Sequence, residues 1–239
     1  MIGPQRPPAR VPLTHDVVED VRRMVLDGTL RPGDRLPSEK DLAVHLGVSR
    51  GSLREGVRAL AALGILQARH GDGTYVTELD ATRLVAPLAF LGDMPGDRTD
   101  VLAVRRTLET EAAALAARHA SPALLEQARA SLDDMAGAFA EPVLDAARVA
   151  AADVAFHRTV ADASGNRVLA ALVDALAAPR ARERAWRDLH EDTATRVVGE
   201  HAAILDALTD ADPDRARILM AAHLIGAERI LTAHGAAPA

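Results

Sequence analysis

The chain has 239 residues and no cysteine, so it can form one large domain or two ordinary ones but no disulfide or thiolate metal site. No apolar run reaches the ~18 residues of a membrane-spanning helix, and the Pro- and Arg-rich N-terminus lacks a signal peptide's apolar core, so we expect a cytoplasmic protein without membrane association. The net charge of −6 excludes a strongly basic chain, but residues 1–80 hold equal numbers of basic and acidic side chains, and a local basic patch there can bind phosphate.

Two caps and a glycine mark a pair of short helices in LPSEKDLAVHLGVSRGSLREGVRAL, which begins at Leu36. Ser38 is placed to cap a helix that ends at Gly47, whose missing Cβ permits a left-handed turn. Ser49 then caps a longer helix that runs to about Leu63. Two short helices joined by a tight turn predict a helix-turn-helix.

The second helix carries Arg50, Arg54 and Arg58 along one edge. Arg50 and Arg54 lie in its first two turns, where a recognition helix reaches base edges, and an arginine fork can pair with guanine or with phosphate. The alternative is an ordinary solvated basic face on a helical core. The order of caps, glycine turn, arginine edge and following hairpin favours DNA binding.

A hairpin is predicted after the arginine-bearing helix. Ile65–Arg69 and Thr74–Thr77 have strand character and flank the turn sequence His70-Gly71-Asp72-Gly73. A hairpin in this position would be the wing of a winged helix.

The segment resembles the winged-helix DNA-binding domain of the GntR family of bacterial transcription regulators over roughly residues 11–77. The resemblance implies contact with DNA from the start of the second helix of the domain, from the recognition helix and from the wing tip. Gly51 and Gly56 stand where the family more often has Thr and Ala. The positions that match family DNA contacts are Lys40, Ser49, Arg50, Ser52, Arg54, His70 and Gly71.

Residues 78–83 form a short polar linker, and the remaining pattern is almost wholly helical. We predict an all-α bundle over residues 84–234, so the fold class is mostly α, a winged helix-turn-helix with a small β-wing followed by a helical bundle. Glycine, serine and proline separate the predicted helices. These helices are expected at 82–91, 98–118, 122–139, 142–163, 166–188, 193–209 and 213–234.

Four polar side chains fall on inward faces of the bundle helices. Asp153 and His157 are four residues apart and share a face, while His201 and His223 lie within the apolar stripes of two other helices. A single inward histidine is more often a hydrogen-bonded core residue. Three histidines with a carboxylate favour a site for a divalent first-row metal ion such as Zn²⁺, Ni²⁺ or Mn²⁺.

Arg105 and Glu109 border the apolar stripe of the helix predicted at 98–118. A buried arginine needs a partner, which is either Glu109 in a structural ion pair or an incoming carboxylate held by the planar fork. The sequence leaves both alternatives open.

The segments VRRTLETEAAALAARHA, DVAFHRTVADASGNRVL, EHAAIL and MAAHL are similar to the FCD ligand-binding domain, which defines the FadR-like branch of the GntR family. The resemblance covers roughly residues 84–234 and implies a metal ion held by Asp153, His157, His201 and His223. It also implies a small organic acid whose carboxylate meets the metal and Arg105. Asn166 matches a family position near the effector pocket.

These features predict a ligand-responsive transcription regulator and not an enzyme. We expect a homodimer that binds a palindromic operator in double-stranded DNA and responds to a small carboxylate effector at a metal-dependent pocket. The resemblance implies that the effector relieves repression, which is the commoner outcome in the family. The alternatives are a regulator for which the metal itself is the signal, a metal that is only structural, and a metal-dependent hydrolase. The sequence shows no clear general acid or base beside the ligands for that hydrolase.

Overall fold

The computed structural model describes residues 13–89, 91, 98–177, 183, 186 and 191–233. The chain divides into two compact units at the bond between Leu84 and Val85. The predicted fold class, mostly α with a two-stranded wing and a helical C-terminal part, is confirmed. Within the described ranges, no helix has the length and apolarity needed to cross a membrane.

The first unit packs its helices against a small antiparallel sheet. Its apolar core includes Val17 and Val21 of the first helix, Leu53 and Leu60 of the third, and Leu66 of the first strand. Its elements are α1 (Leu13–Leu26), α2 (Glu39–Leu46), α3 (Arg50–Ala62), β1 (Leu66–Arg69), β2 (Gly73–Val76) and the short α4 (Ala81–Val85).

The predicted caps around the helix-turn-helix are confirmed. Ser38 Oγ accepts a hydrogen bond from the Asp41 backbone N–H at 3.2 Å, and Ser49 Oγ accepts one from Ser52 at 3.1 Å. Gly47 ends α2 with φ of +66°, a conformation that strains residues with a Cβ. These local interactions fix the turn between α2 and α3.

The hairpin register pairs Leu66 with Val76 and Arg69 with Gly73. The turn therefore contains residues 70–72, and Gly73 begins β2 instead of belonging to the turn as predicted. A further segment joins the sheet, because the backbone N–H of Leu36 donates to the Thr74 carbonyl at 2.8 Å. The pairing of this segment with β2 was not predicted.

The second unit is a helical bundle with an alanine-rich core. Its largest fully buried apolar side chains include Phe156, Ile204, Leu205 and Met220. A 3₁₀ turn, Ala86–Leu88, precedes the bundle helices. These are α5 (Arg98–His119), α6 (Pro122–Ala140), α7 (Ala146–Ala163), α8 (Arg167–Ala175), α9 (Glu191–Thr209) and α10 (Pro213–Ala233).

The structure differs from several of the predicted helices. The helix expected over 82–91 is divided into α4 and the 3₁₀ turn, because Pro87 has no N–H for an α-helical hydrogen bond. The helix expected from 142 begins at Ala146, because the Asp145 side chain accepts from the Arg148 N–H at 3.0 Å and caps the helix there.

The helix predicted over 166–188 also differs, since α8 ends at Ala175. The kink predicted at Pro179 lies outside the described residues.

Candidate functional site

The outer edge of α3 carries guanidinium groups, as predicted. Arg50, Arg54 and Arg58 are exposed, while Leu53 and Leu60 on the other side of the helix are buried. The arginine edge is therefore open to a partner with phosphate or base acceptors.

Arg54 is oriented by a residue of α2. Its Nε donates to Glu39 Oε2 at 2.8 Å, and both side chains are more than half exposed. An exposed pair of this kind contributes only about 0–1 kcal/mol to stability. Its main effect is on the direction in which the Arg54 fork points.

The wing tip presents His70 and Gly71, both of which are exposed. Gly71 has φ of +73°, which the tight turn requires. The Arg69 guanidinium lies 4.1 Å from the centroid of the Tyr75 ring, and the Tyr75 hydroxyl donates to Asp72 at 2.8 Å. These contacts hold the base of the wing together.

Arg35 lies against the same hairpin, opposite Tyr75. A Cβ on Gly73 would lie 2.6 Å from Arg35 Nε, so this glycine makes room for the guanidinium. The sequence around Arg35 does not indicate this position beside the wing, because the pairing of Arg35 with β2 is long-range.

The first unit holds all the residues predicted to contact DNA. Their contact with DNA stays a prediction. Ser52 is half-buried and the others are exposed, the full set being Lys40, Ser49, Arg50, Ser52, Arg54, His70 and Gly71.

The four predicted metal ligands converge in the second unit. One ligand atom from each of Asp153, His157, His201 and His223 lies within 4.8 Å of the others, and all four side chains are at most 3% exposed. Asp153 Oδ1 lies 3.1 Å from His201 Nε2 and 3.5 Å from His157 Nε2. His157 Nε2 lies 3.3 Å from His223 Nε2. Ligand atoms ~2.1 Å from a tetrahedral ion would be separated by about 3.4 Å, so the spacing fits a metal ion.

Each histidine of the cluster has its Nδ1 next to an oxygen atom outside the cluster. For His201 and His223 the outer partners are a carbonyl oxygen and an ionised carboxylate, which accept but do not donate, so Nδ1 carries the proton and Nε2 turns a lone pair toward the cluster. The pairs are His157 Nδ1 with Glu109 Oε2 at 2.5 Å, His201 Nδ1 with the Val197 carbonyl at 2.8 Å, and His223 Nδ1 with Glu200 Oε2 at 2.9 Å.

Burial and neighbouring charges set the ionisation of these groups. Desolvation, reinforced by the neighbouring histidines, lowers the pKa of His201 and of His223 to about 3, so both imidazoles are neutral. Burial alone would raise the pKa of Glu109, but the charge of Arg105 and the hydrogen bond with His157 lower it to about 2. The pKa of Glu200 is also lowered, because hydrogen bonds from His223 and Arg196 outweigh its desolvation.

The cluster therefore brings nitrogen and oxygen ligand atoms of four side chains close together. His201 Nε2 is buried and makes no hydrogen bond within the described part of the chain, although Asp153 Oδ1 lies 3.1 Å away. The lone pair on His201 Nε2 and the Asp153 carboxylate oxygen repel each other unless a cation lies between them. Three imidazoles and one carboxylate match the preference of first-row divalent ions.

Arg105 forms the ion pair that was one of its two predicted alternatives. Its Nε donates to Glu109 Oε1 at 2.7 Å, and both side chains are 2% exposed. Its Nη2 lies 2.7 Å from the same oxygen but makes no hydrogen bond to any described residue. Arg105 is therefore paired, yet it keeps a buried donor for a second carboxylate.

Asn166, predicted to lie near an effector, caps α8. Its Oδ1 accepts from the backbone N–H groups of Val168 and Leu169, both at 3.1 Å.

We expect Asn166→Ala to lower the free energy of unfolding by about 1 kcal/mol and Asn166→Asp to preserve it, because aspartate is an equally good cap. Chemical denaturation measures this difference. Equal stability of the alanine variant and the unchanged chain would contradict the capping role.

An apolar cleft of about 470 Å³ lies elsewhere in the second unit. Leu108 of α5 and Leu172 of α8 contribute to its lining, and the charged side chain there is the acid Asp100. The cleft suits an apolar group and disfavours an organic anion.

Comparisons with known proteins agree with both units. The family described as "Bacterial regulatory proteins, gntR family" matches residues 13–76, and the "FCD domain" matches residues 100–226. The HTH-type transcriptional regulator LutR of Bacillus subtilis (strain 168) is 33% identical over 88% of this chain and 97% of its own length. A putative L-lactate dehydrogenase operon regulatory protein of Escherichia coli (strain K12) is 33% identical over 89% of this chain and 83% of its own. The solved structure of Streptococcus agalactiae GntR shares the fold with a TM-score of 0.58 and 23% identity, covering 90% of this chain and 99% of that one.

Proposed function

The chain belongs to the GntR family of bacterial transcription regulators and carries the FCD domain, and from this premise we propose that it is a homodimeric repressor controlled by a small carboxylate at a divalent metal ion. As a member of this family it is a DNA-binding transcription regulator and not an enzyme. The observation that carries the metal-dependent part is the buried cluster of three histidines and Asp153, whose ligand atoms all lie within 4.8 Å of one another.

In this proposal Asp153, His157, His201 and His223 hold the ion, which is Zn²⁺, Ni²⁺ or Mn²⁺. Bound there, the ion supplies a positive centre for a carboxylate. The buried Nη2 of Arg105 supplies a donor for the same anion. The effector response of Asn166→Asp tests whether Asn166 contributes to effector binding in addition to capping α8.

The charges around the cluster favour a monocarboxylate. Three acids (Asp153, Glu109 and Glu200) surround or join the cluster, and two arginines (Arg105 and Arg196) pair with them. Imidazoles that bind a metal ion are neutral. The charges of the divalent ion, the three acids and the two arginines then sum to one net positive charge at this buried site. A singly charged anion neutralises it, which matters because uncompensated buried charge is costly.

DNA recognition in this proposal uses the α3 edge and the wing. A dimer would place two recognition helices on half-sites about 34 Å apart, so the two-fold symmetry of the protein would match a palindromic operator. A carboxylate relieves repression to the extent that it binds one bundle conformation better than the other. A chromosomal operator would place this action in the cytoplasm.

A second candidate is a regulator that senses the metal itself. The observation that favours it is the burial of all four ligands, at most 3% exposed, which suits a site that closes on an ion alone. Operator affinity that follows the Zn²⁺ concentration without any organic acid would select this candidate. A metal that changes stability but not operator affinity would be structural only.

We expect native mass spectrometry of the purified chain to show a dimer with one first-row metal ion per chain, and dialysis against a chelator to remove the ion. Selection from a randomised duplex library should then enrich an inverted repeat. L-lactate is the first carboxylate to add, since one relative is named for an L-lactate dehydrogenase operon. Release of the selected duplex by L-lactate from metal-loaded but not metal-free protein would support the proposal.

Other results of these experiments would contradict separate parts of the proposal. A monomer, or enrichment of a single half-site, would contradict the dimeric palindrome mechanism. A chain that takes up none of Zn²⁺, Ni²⁺ and Mn²⁺ would mean that the inward histidines are packing residues.

A further inference from the structure

Two Arg–Glu–His arms of the same composition lead away from the metal cluster. In the inner arm, Arg105 and Glu109 are four residues apart on α5, and Glu109 faces His157 of α7. In the outer arm, Arg196 and Glu200 are four residues apart on α9, and Glu200 faces His223 of α10. Each glutamate uses one oxygen for its arginine and the other for its histidine.

The outer arm reaches the protein surface. Arg196 Nη1 donates to Glu200 Oε1 at 2.5 Å, and Glu200 Oε2 accepts from His223 Nδ1 at 2.9 Å. The Arg196 side chain is 44% exposed and that of Glu200 26% exposed, whereas the His223 side chain is 3% exposed. The hydrogen bonds therefore connect a buried imidazole with a solvated guanidinium.

Gly226 makes room for this arrangement. It lies three residues after His223 in the interior of α10, where glycine costs about 1 kcal/mol relative to alanine. A Cβ at this position would lie 2.9 Å from Arg196 Nη1. The glycine is thus unfavourable for the helix but permits the close approach of Arg196.

We propose that Glu109 and Glu200, each held by its arginine, are positioning residues of the metal site that orient His157 and His223. This inference rests on the proposed function, because it presupposes that the cluster holds a metal ion. A carboxylate that accepts from the outer nitrogen of a ligating imidazole fixes the ring and raises its basicity toward the metal. Loss of such a partner typically weakens metal binding 10- to 100-fold.

His201 provides the contrast within the same site. Its Nδ1 donates to the backbone carbonyl of Val197, one turn earlier in the same helix, so its orientation comes with the helix itself. Among the residues that the structure describes, His157 and His223 have no backbone partner of this kind, and their Nδ1 atoms lie next to side chains of other helices. The metal affinity of the chain is therefore expected to depend on Glu109 and Glu200.

The outer arm is the better one to test. Removing Glu109 would leave Arg105 buried without its partner, which damages folding as well as the site. Glu200 is partly solvated and Arg196 is well exposed, so their substitution leaves no buried unpaired charge.

We expect Glu200→Ala to bind Zn²⁺ 10- to 100-fold more weakly than the unchanged full-length chain in a chelator competition titration. Glu200→Gln should recover part of the loss, because its amide oxygen still accepts the Nδ1 proton. The matched control is Glu111→Gln, which breaks an exposed ion pair between α5 and α10 (2.8 Å to Arg217) and should leave Zn²⁺ affinity unchanged. The visible spectrum of the Co²⁺-loaded protein should change for Glu200→Ala and stay the same for the control Glu111→Gln.

Gly226→Ala supplies an independent test through Arg196. We expect Zn²⁺ affinity to fall a few-fold while the melting temperature of the metal-free protein stays the same or rises, since alanine is the better helix former. If Gly226 had a structural role alone, the Zn²⁺ affinity would not fall while the melting temperature stays the same or rises. If Glu200→Ala does not fold, Glu200→Gln and Gly226→Ala carry the test.

Zn²⁺ affinities of Glu200→Ala and Gly226→Ala within twofold of the unchanged chain would overturn this inference and leave the metal site intact. An unchanged chain that binds none of Zn²⁺, Ni²⁺ and Mn²⁺ would instead overturn the proposed site and the inference together.

Discussion

Arg54→Ala is expected to reduce operator binding to the level of non-specific DNA. A bidentate arginine–guanine contact contributes about 1–3 kcal/mol of discrimination, and a dimer would lose it in both half-sites. Fluorescence anisotropy with the selected duplex and a scrambled duplex measures the specificity ratio. Thermal unfolding should barely change, because the exposed pair between Arg54 and Glu39 contributes little to stability.

Arg58→Ala is the matched control, since Arg58 is exposed on the same edge but lies beyond the first two turns of α3. It should weaken binding to both duplexes by similar small factors. A salt titration separates the two kinds of contact, because loss of a phosphate contact reduces the slope of log affinity against log salt by about one. An unchanged ratio between selected and scrambled duplex for Arg54→Ala would refute the assignment of α3 as the recognition helix.

His201→Ala combined with His223→Ala is expected to abolish metal binding and, with it, the response to carboxylate. Only Asp153 and His157 would then be left of the four ligands. For the unchanged chain, metal at 100 times its dissociation constant should stabilise the fold by about 2.7 kcal/mol. The double variant should show no metal-dependent rise in melting temperature, and native mass spectrometry should find it without metal.

His119→Ala is the control for this pair. The His119 Nδ1 atom lies 3.2 Å from the Ser164 carbonyl oxygen, so His119 is also a hydrogen-bonded histidine of the second unit, but it is not part of the cluster. It should keep one metal ion per chain and the full carboxylate response. Retention of the carboxylate response by the double variant would refute the metal-dependent pocket while leaving the DNA-binding unit untouched.

The sequence by itself determined the features that depend on near neighbours. Ser38, Gly47 and Ser49 could be assigned because caps and left-handed turns are set within a few residues. The division of α3 into an arginine edge and an apolar face follows from the helical repeat. The same repeat predicted that His201 and His223 lie on buried faces.

The tertiary structure alone decided which groups from distant segments meet. Arg35 lies beside the wing because residues 33–36 pair with β2, and no local pattern signals that pairing. The spacing of arginine and glutamate on α5 and α9 was visible, but it does not show that Glu109 faces His157 or that Glu200 faces His223. Helical periodicity gives the side of a helix on which a residue lies, whereas hydrogen bonds between helices depend on their relative depth and rotation, which the packing of the whole bundle sets.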